Sequence, residues 1–205
     1  MVRNPYAAHP LLKACLVALS LTLLSPGARA EARNYVIDPD HFSIGFKVRH
    51  IGYASILGLF LKARGSFVYD EASGRLESGQ VVVAADSAFS NHAARDRHIH
   101  ESDFLNAREY PDITFQATRY TPTGSSSGKL DGMLTLLGTT RPVTLEVTLN
   151  KAASYPFAHR QHTLGVSAGT TIRRSEWGMR YGVDGGLVGD EVRLDFEFEA
   201  IRQQP

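Results

Sequence analysis

The feature that most constrains the fold of this chain is an alternation of apolar and polar residues with a period of two. It is clearest in EVRLDFEFEA (191–200), where every second residue from Val192 to Phe198 is apolar and the residues between them are charged. The same alternation runs through HFSIGFKV (41–48) and VTLEVTLN (143–150). A period of two is typical of β-strands that bury one face. The chain is therefore predicted to be an all-β protein.

Turn-forming segments such as DEASG, TPTGSSSG and DGGLVGD separate the alternating runs and divide the chain into eight or nine predicted strands. No helical pattern alternates with the strands, so the strands are expected to be antiparallel. About eight strands with one consistent apolar face can form a sandwich, or they can close into a barrel that holds side chains or one small ligand. The pattern leaves both architectures open and favours a single barrel.

One segment, SNHAARDRHIHESDFLNA (90–107), interrupts the strand pattern and contains neither proline nor glycine. It predicts one short helix near residues 90–105, with Ser90 or Asn91 capping its start. Its apolar residues are few, so the helix is expected to lie over a sheet or over one mouth of the barrel rather than inside the core.

The same segment carries His98 and His100, which raises the question of a metal site. On a helix, residues two apart point about 200° away from each other, so these imidazoles cannot bind one ion there. A solvated helix face with local ion pairs is favoured, and no metal site is predicted.

No set of catalytic residues emerges from the sequence. GVSAG (165–169) has the letters of a nucleophile elbow, but it lies in an alternating run, whereas the elbow requires a turn from strand to helix. An apolar interior without such a set favours binding over chemistry, with no resident cofactor. Two alternatives stay open: a hydrolase or isomerase that acts on a lipid-like substrate, and a stress-linked interaction module with a filled core.

Residues 1–30 have the features of a cleaved export signal. Arg3 and Lys13 give a positive start, residues 14–24 are apolar, and Ala28-Arg29-Ala30 has the small-x-small pattern of a cleavage site. We therefore expect a periplasmic protein whose mature chain begins near Glu31 and forms one domain over 31–205.

Loss of the signal would remove Cys15, the only cysteine, so the mature chain must gain its stability from a core rather than from disulfides. It would also leave 19 basic and 21 acidic residues. This near-neutral balance is not typical of proteins that bind nucleic acid or an anionic membrane surface. No further apolar run is long enough to cross a membrane, so no transmembrane segment is predicted after signal removal.

Several motifs, in order, resemble the YceI-like family of polyisoprenoid-binding periplasmic proteins. They are YVIDPDHFSIGFKVRHIG, GLFLKARGSF, AARDRHIHESDFLNAREYPDITF, GMLTLLGTTRPVTLEV and IRRSEWGM, followed by VGDEVRLDFEFEA, and they span about Tyr35 to Ile201. The resemblance implies a lipocalin-like antiparallel barrel with a helix near its side. It also implies a pore that holds a polyprenyl pyrophosphate, an isoprenoid quinone or a similar amphiphile for transport, storage or sequestration. It supplies no catalytic residues.

The chain departs from the family pattern at two places. Ile99, where a leucine is usual, is followed by His100, and a second histidine is not part of the pattern. Phe42 stands where a serine often follows the histidine, as though one residue were inserted. The register of the first strand is therefore left open, as is whether the barrel forms a homodimer.

The alternating phase selects the residues predicted to line the tunnel. They are Phe42, Ile44, Phe46, Phe115, Leu134, Leu136, Val166, Val192, Leu194, Phe196 and Phe198. Five further residues are candidates for contacting a polar head group: Arg97, His98, Arg173, Arg174 and Trp177.

Overall fold

The computed structural model describes residues 31–204, so the predicted export signal and Cys15 lie outside the described residues. The described part contains ten strands, one α-helix and two short 3-10 helices. The strands are β1 (Arg33–His50), β2 (Ala54–Phe60), β3 (Ala63–Asp70), β4 (Arg75–Ala84), β5 (Ala88–Phe89), β6 (Asp112–Pro122), β7 (Ser127–Leu136), β8 (Thr139–Ser154), β9 (His162–Arg173) and β10 (Val188–Arg202). The helix is α1 (Ala93–His100), and the 3-10 helices span Ala85–Ser87 and Arg174–Trp177.

Eight of the strands close into an antiparallel barrel. Their order around the wall is β1, β3, β4, β6, β7, β8, β9 and β10, and β10 pairs back onto β1. Strands β2 and β3 pair with the same edge of β1, one after the other. The β1 residues from Ile44 to His50 pair with β2, whereas those from Arg33 to Val36 pair with β3. The prediction of one all-β antiparallel barrel of about eight strands with one short helix is confirmed.

The barrel has two ends of different construction. At the α1 end lie α1, the second 3-10 helix, the end of β9 and the start of β10. At the opposite end lie the start of β1, the end of β10 and the turns that join β3 to β4, β6 to β7, and β8 to β9.

Helix α1 begins later than the predicted caps. Asn91 has a φ of 61° and so lies in the left-handed region, outside the helix. His92 is the N-cap, and its Nδ1 accepts a hydrogen bond from the backbone N–H of Arg95 at 3.3 Å. Ser90 instead donates its hydroxyl hydrogen to Asp96 Oδ1 at 2.5 Å. The prediction of Ser90 or Asn91 as the cap was therefore wrong, because the first is bound to Asp96 and the second turns the chain.

Helix α1 buries none of its residues, in agreement with the expectation that it is not a core element. No helix described between residues 31 and 204 is both long and apolar enough to span a bilayer.

A bulge in β1 lies where the sequence departs from the family pattern. Ile37 lies opposite Ala200 and Phe42 opposite Phe198, so four residues of β1, from Asp38 to His41, face one residue of β10. Ile37 and Phe42 are five positions apart, and strict alternation would send them to opposite faces of the sheet. The bulge corrects the phase, and both side chains point into the barrel.

Candidate ligand-binding cavity

An elongated apolar cavity of about 280 Å³ lies inside the barrel. On β9, every second residue from Leu164 to Ile172 lines it. Eight residue steps of roughly 3.3 Å cover about 26 Å along a strand. With the strand tilt of about 40° that is typical of barrels, the cavity is about 20 Å long along the barrel axis. The interior is therefore a slender apolar channel rather than a compact pocket.

All the side chains that the alternating phase assigned to the interior line this cavity, because each lies on the inner face of its strand. They are Phe42, Ile44 and Phe46 on β1, Phe115 on β6, Leu134 and Leu136 on β7, Val166 on β9, and Val192, Leu194, Phe196 and Phe198 on β10. That they contact a ligand stays a prediction.

The accessibility of these side chains distinguishes a hollow interior from a packed one. Ile44 is 2% exposed, as expected in a packed core, but Phe46, Phe115, Leu194 and Phe196 are only partly buried although they point inward. Their accessible surface faces the cavity, since their outward-pointing neighbours form the outer wall. A core filled by its own side chains, one of the alternatives left open above, is not what the structure contains.

Two packed clusters flank the hollow centre. The cluster at the α1 end contains Trp177, Met179 and Ile172, together with Leu134 and Leu136. The cluster at the opposite end consists of Tyr35, Ile37, Leu164, Val166 and Ala200. Phe196 belongs to neither cluster and lies between them. The barrel is thus solid toward its ends and open in its middle.

Aromatic rings and glycines explain why the middle stays open. The ring of Phe46 lies against Gly58 of β2, and the ring of Phe115 lies against Gly132 of β7, so closely that a Cβ at either glycine would collide with the ring. Each ring therefore lies along the wall over exposed backbone instead of crossing the channel.

Arg174 is the one charged residue among the described residues that line the cavity. It is 2% exposed, and its guanidinium donates hydrogen bonds to four backbone carbonyls at 2.7–2.9 Å. The acceptors belong to Met179, Tyr181, Val188 and Gly189. Burial lowers the pKa of Arg174, and the carboxylate of Asp190 opposes that shift; an arginine nevertheless stays charged. Of its five N–H groups, one on Nη1 has no hydrogen-bond partner among the described residues.

Three of the other head-group candidates do not line the cavity. Arg97 and Arg173 are exposed on the outside, where Arg173 Nε contacts Asp190 Oδ2 at 3.2 Å. Trp177 is 3% exposed, and its Nε1–H donates to the carbonyl of Leu134 at 3.2 Å. This single indole donor is occupied by the barrel wall. Their placement therefore does not support a common head-group site.

His98 lies outside the cavity wall but contacts residues close to it. Its Nε2 is 2.8 Å from Asp103 Oδ2, and its ring packs edge-on against Phe104 and Tyr181 with centroids 5.0 Å away in each case. Phe104 lines the cavity and also lies 5.7 Å below the guanidinium of Arg174. His98 thus supports the aromatic cover of the α1 end.

Sequence reasoning missed part of the wall. Val143, Leu145, Val147 and Leu149 of β8 line the cavity, and the alternation of VTLEVTLN was a sufficient signal for them. Tyr69 and Tyr120 line it at the opposite end and pack edge to face, with ring centroids 6.0 Å apart. Burial raises the pKa of both tyrosines.

The two histidines of α1 point to different partners, as their spacing predicts. His98 is bonded to Asp103, whereas His100 Nε2 lies 2.9 Å from the carbonyl oxygen of Ala88. GVSAG lies inside β9, and the hydroxyl of Ser167 donates outward to Glu197 Oε2 at 2.6 Å. Neither segment forms a metal or nucleophile site.

Among residues 31–204, one group of side chains has the composition of a metal site: Asp38, His41 and Glu199 at the β1 bulge. His41 Nδ1 lies 2.7 Å from Asp38 Oδ2 and 3.7 Å from Glu199 Oε2. The hydrogen bond to Asp38 raises the pKa of His41 and lowers that of Asp38. The arrangement found is a hydrogen-bonded pair of Asp38 and His41 on the surface, with Glu199 beside it.

Sequence and fold both relate this barrel to known proteins. Residues 35–200 match the YceI-like domain. A UPF0312 protein of Pseudomonas putida is 34% identical over 190 residues, covering 92% of this chain and 96% of the relative. Burkholderia cenocepacia BcnA has a TM-score of 0.71 at 22% identity, covering 80% of this chain and 98% of BcnA. A polyisoprenoid binding domain from Saccharophagus degradans has a TM-score of 0.59 at 12% identity, covering 84% of this chain and 100% of that domain. Because the domain match extends from β1 to β10, the chain belongs to the YceI-like family.

Proposed function

We propose that this protein binds a long-chain isoprenoid lipid, or a similar amphiphile, in the barrel cavity and carries or stores it in the periplasm without chemical change. The observation that carries the proposal is the channel itself, which is apolar along its length and leaves inward side chains accessible. Similarity in fold to a polyisoprenoid binding domain supports the choice of ligand class.

The energetics of burial are sufficient for such binding. Burial of one CH₂ group contributes about 0.8 kcal/mol, so a five-carbon isoprene unit contributes up to about 4 kcal/mol. Loss of rigid-body and internal freedom offsets several kcal/mol or more of this gain. Three or four buried units therefore leave roughly micromolar affinity. Since a difference of one methylene changes binding by only about 1–3 kcal/mol, length and shape of the chain should matter more than its identity.

The polar part of the ligand is best placed at the α1 end. Arg174 offers one free N–H there, which suits a carbonyl or hydroxyl oxygen. A pyrophosphate inside the channel would leave most of its charge without partners, at a high cost in free energy. A ligand of that kind is expected to keep its head group at the rim, in water.

No histidine or carboxylate lines the cavity within the described chain. The titratable groups that do are two tyrosines and one arginine, and none of these is a general base near neutral pH. This composition favours binding over the alternative of a hydrolase or isomerase.

Solvent extraction and mass spectrometry of the purified protein test the proposal. We expect one long-chain lipid per protein, lost in Ala168→Phe, which fills the channel beside Phe196 with apolar volume and leaves no buried charge. Phe196→Asp should also lose lipid or express poorly, because it places a charge inside the channel. Glu197→Gln, on the outer face of the same strand, is the matched control and should retain lipid.

Two results would contradict the proposal. One is wild-type protein that carries no lipid and fails to bind added polyprenol. The other is a folded Ala168→Phe variant that carries as much lipid as the wild type.

A further inference from the structure

An exposed apolar surface lies beside the barrel at the α1 end. We call it the β2 patch, and it consists of Ile51, Tyr53, Leu57, Leu59, Leu61 and Phe89. Tyr53, at the turn between β1 and β2, is 93% exposed, and Leu57 is 67% exposed. The patch contains six of the ten large apolar side chains that are exposed in the described structure, so these side chains are concentrated rather than scattered. Concentration of this kind marks an interaction surface.

The strand register makes the patch continuous. Leu57 and Leu59 are two residues apart on β2 and therefore share its outer face. Leu59 is paired with Phe89 of β5, so these two side chains also lie on one face. Leu61 follows the last residue of β2, and its backbone N–H donates to the carbonyl of Ser87, the residue directly before β5.

The hairpin of β1 and β2, which carries most of the patch, has charges of one sign beyond the β1 bulge, and the acidic residues near it include Asp195, in register with Leu59 through Gly45, and the exposed Asp86, three positions before Phe89. From Phe42 to Tyr69 the chain contains no Asp or Glu, but it contains Lys47, Arg49, Lys62 and Arg64. Lys47 lies directly opposite Leu57 in the sheet. Within residues 31–204, none of these four cations forms an ion pair, whereas six arginines elsewhere in the barrel do. The near-neutral net charge of the whole chain conceals this local segregation.

We propose that the β2 patch docks the protein on the surface of a membrane that contains anionic lipids. Tyrosine is enriched at the level of lipid head groups, and leucine side chains can enter the acyl boundary below them. The surrounding Lys and Arg residues are attracted to the anionic head groups, whereas two copies of this surface facing each other would bring like charges together. Charge complementarity thus selects the bilayer over a second copy of the chain.

The position of the patch relative to the cavity fits this role. The outer face of β2 forms the patch, and Phe60 on the inner face of the same strand lines the cavity with Val48 of β1. Docking through this hairpin would bring the α1 end of the channel close to the lipid surface. The inference goes beyond the proposed ligand, and binding to vesicles without isoprenoids tests it separately.

Flotation with vesicles of phosphatidylcholine and phosphatidylglycerol in equal parts, and with vesicles of phosphatidylcholine alone, provides the test. We expect the purified protein to float with the anionic vesicles and the bound fraction to fall as salt is added. Lys47→Gln with Lys62→Gln should weaken binding about twenty-five-fold at low salt, from about a factor of five for each cation. Leu57→Ser with Leu59→Ser should weaken binding at least as much at any salt concentration. Both pairs are exposed, so the variants should keep the thermal stability of the wild type.

Matched controls lie at the opposite end of the barrel. Phe157 is 63% exposed and Lys151 is exposed, so Phe157→Ser with Lys151→Gln changes the same residue types and should leave vesicle binding unchanged. A tryptophan probe localises the contact: emission of Tyr53→Trp should shift to the blue on anionic vesicles, and that of Phe157→Trp should not.

Three results would overturn the proposal. They are failure of the wild type to float with anionic vesicles, equal loss of binding in the control pair and the patch variants, and a dimer in solution that the leucine pair dissociates. None of these three results changes the amount of lipid that is extracted from the same preparations. Failure of membrane docking and failure of cavity binding are therefore distinguishable.

Discussion

Packed side chains close both ends of the barrel. The two ends differ in the polar groups that stabilise them and in how firmly the segments that cover them are attached. At the α1 end, a buried arginine binds two carbonyls of the loop after β9 and two at the start of β10, and the helix above it buries none of its own residues. At the opposite end, Tyr35 is fully buried, and its hydroxyl donates to Glu71 at 2.5 Å. Glu71 in turn lies 2.9 Å from His162 of β9.

The difference indicates which end opens. The contacts at the opposite end join three segments: Tyr35 lies on β1, Glu71 in the turn after β3, and His162 on β9. The opposite end could therefore open only by separation of barrel strands. Helix α1 is joined to the barrel by few buried contacts, and such segments open locally at low cost in free energy. We therefore expect a ligand to enter and leave at the α1 end, where the β2 patch also lies.

The largest expected effect is that of Arg174→Ala. It would leave four carbonyls without their donor, one of them in a buried hydrogen bond and three in part-buried ones, and each unsatisfied buried group costs on the order of 1–3 kcal/mol. We expect a loss of at least about 3 kcal/mol in the free energy of unfolding, measured with urea. Arg173→Ala is the control on the adjacent residue, whose exposed ion pair should contribute less than about 1 kcal/mol. Equal losses in the two variants would show that the loop after β9 does not depend on the buried guanidinium.

The inner face of the strands could be predicted from the sequence because side chains alternate strictly along a strand. Continuing the alternation of β9 past Ile172 places Arg174 on the inner face and Arg173 on the outer face, as the structure has them. The two arginines were instead predicted together as head-group candidates. Trp177 lies in the 3-10 helix beyond the strand, where that alternation ends. The grouping of these residues as one site failed because neighbours in sequence point to opposite faces.

The hollow centre and the β2 patch depend on properties that alternation does not carry. Whether inward phenylalanines fill a barrel depends on where their rings lie, and this follows from the glycines that happen to face them on the next strand. The patch was concealed because net charge sums over the whole chain, whereas docking depends on charges within about 8 Å at physiological salt. The β1 bulge, in contrast, could be located from one extra residue in a known motif.

A smaller effect on the free energy of unfolding is expected from the opposite end of the barrel at alkaline pH. Burial, with the hydrogen bond to Glu71, raises the pKa of Tyr35 above its usual value of 10.0. A raised pKa in the folded state means that the contribution to stability is complete below pH 10 and is lost as the pH rises toward the folded value. We expect the free energy of unfolding to decrease above pH 10, and to decrease less steeply in Tyr35→Phe, which at neutral pH should be about 1 kcal/mol less stable.

Tyr53→Phe is the control for this measurement, because Tyr53 is 93% exposed and should not alter the alkaline slope. A Tyr35→Phe variant with the wild-type slope above pH 10 would assign the alkaline loss to other groups. The lipid content of Tyr35→Phe at neutral pH should be unchanged, since its hydroxyl lies outside the route of ligand exchange.

An equally small effect on stability, but the one most informative about opening, is expected for Asp96→Ala. Asp96 Oδ1 accepts hydrogen bonds from both the backbone N–H and the hydroxyl of Ser90, at 2.7 and 2.5 Å, and so ties α1 to the end of β5. Without this acceptor, α1 should separate from the barrel more often while the strands stay paired. We expect about 1 kcal/mol less global stability, faster amide hydrogen exchange confined to α1, and faster release of a fluorescent lipid.

Asp103→Ala removes the half-exposed partner of His98 and serves as the control, with little change in either rate. If lipid release is unchanged while exchange in α1 accelerates, the ligand does not pass beneath the helix, and the difference between the two ends would concern stability alone.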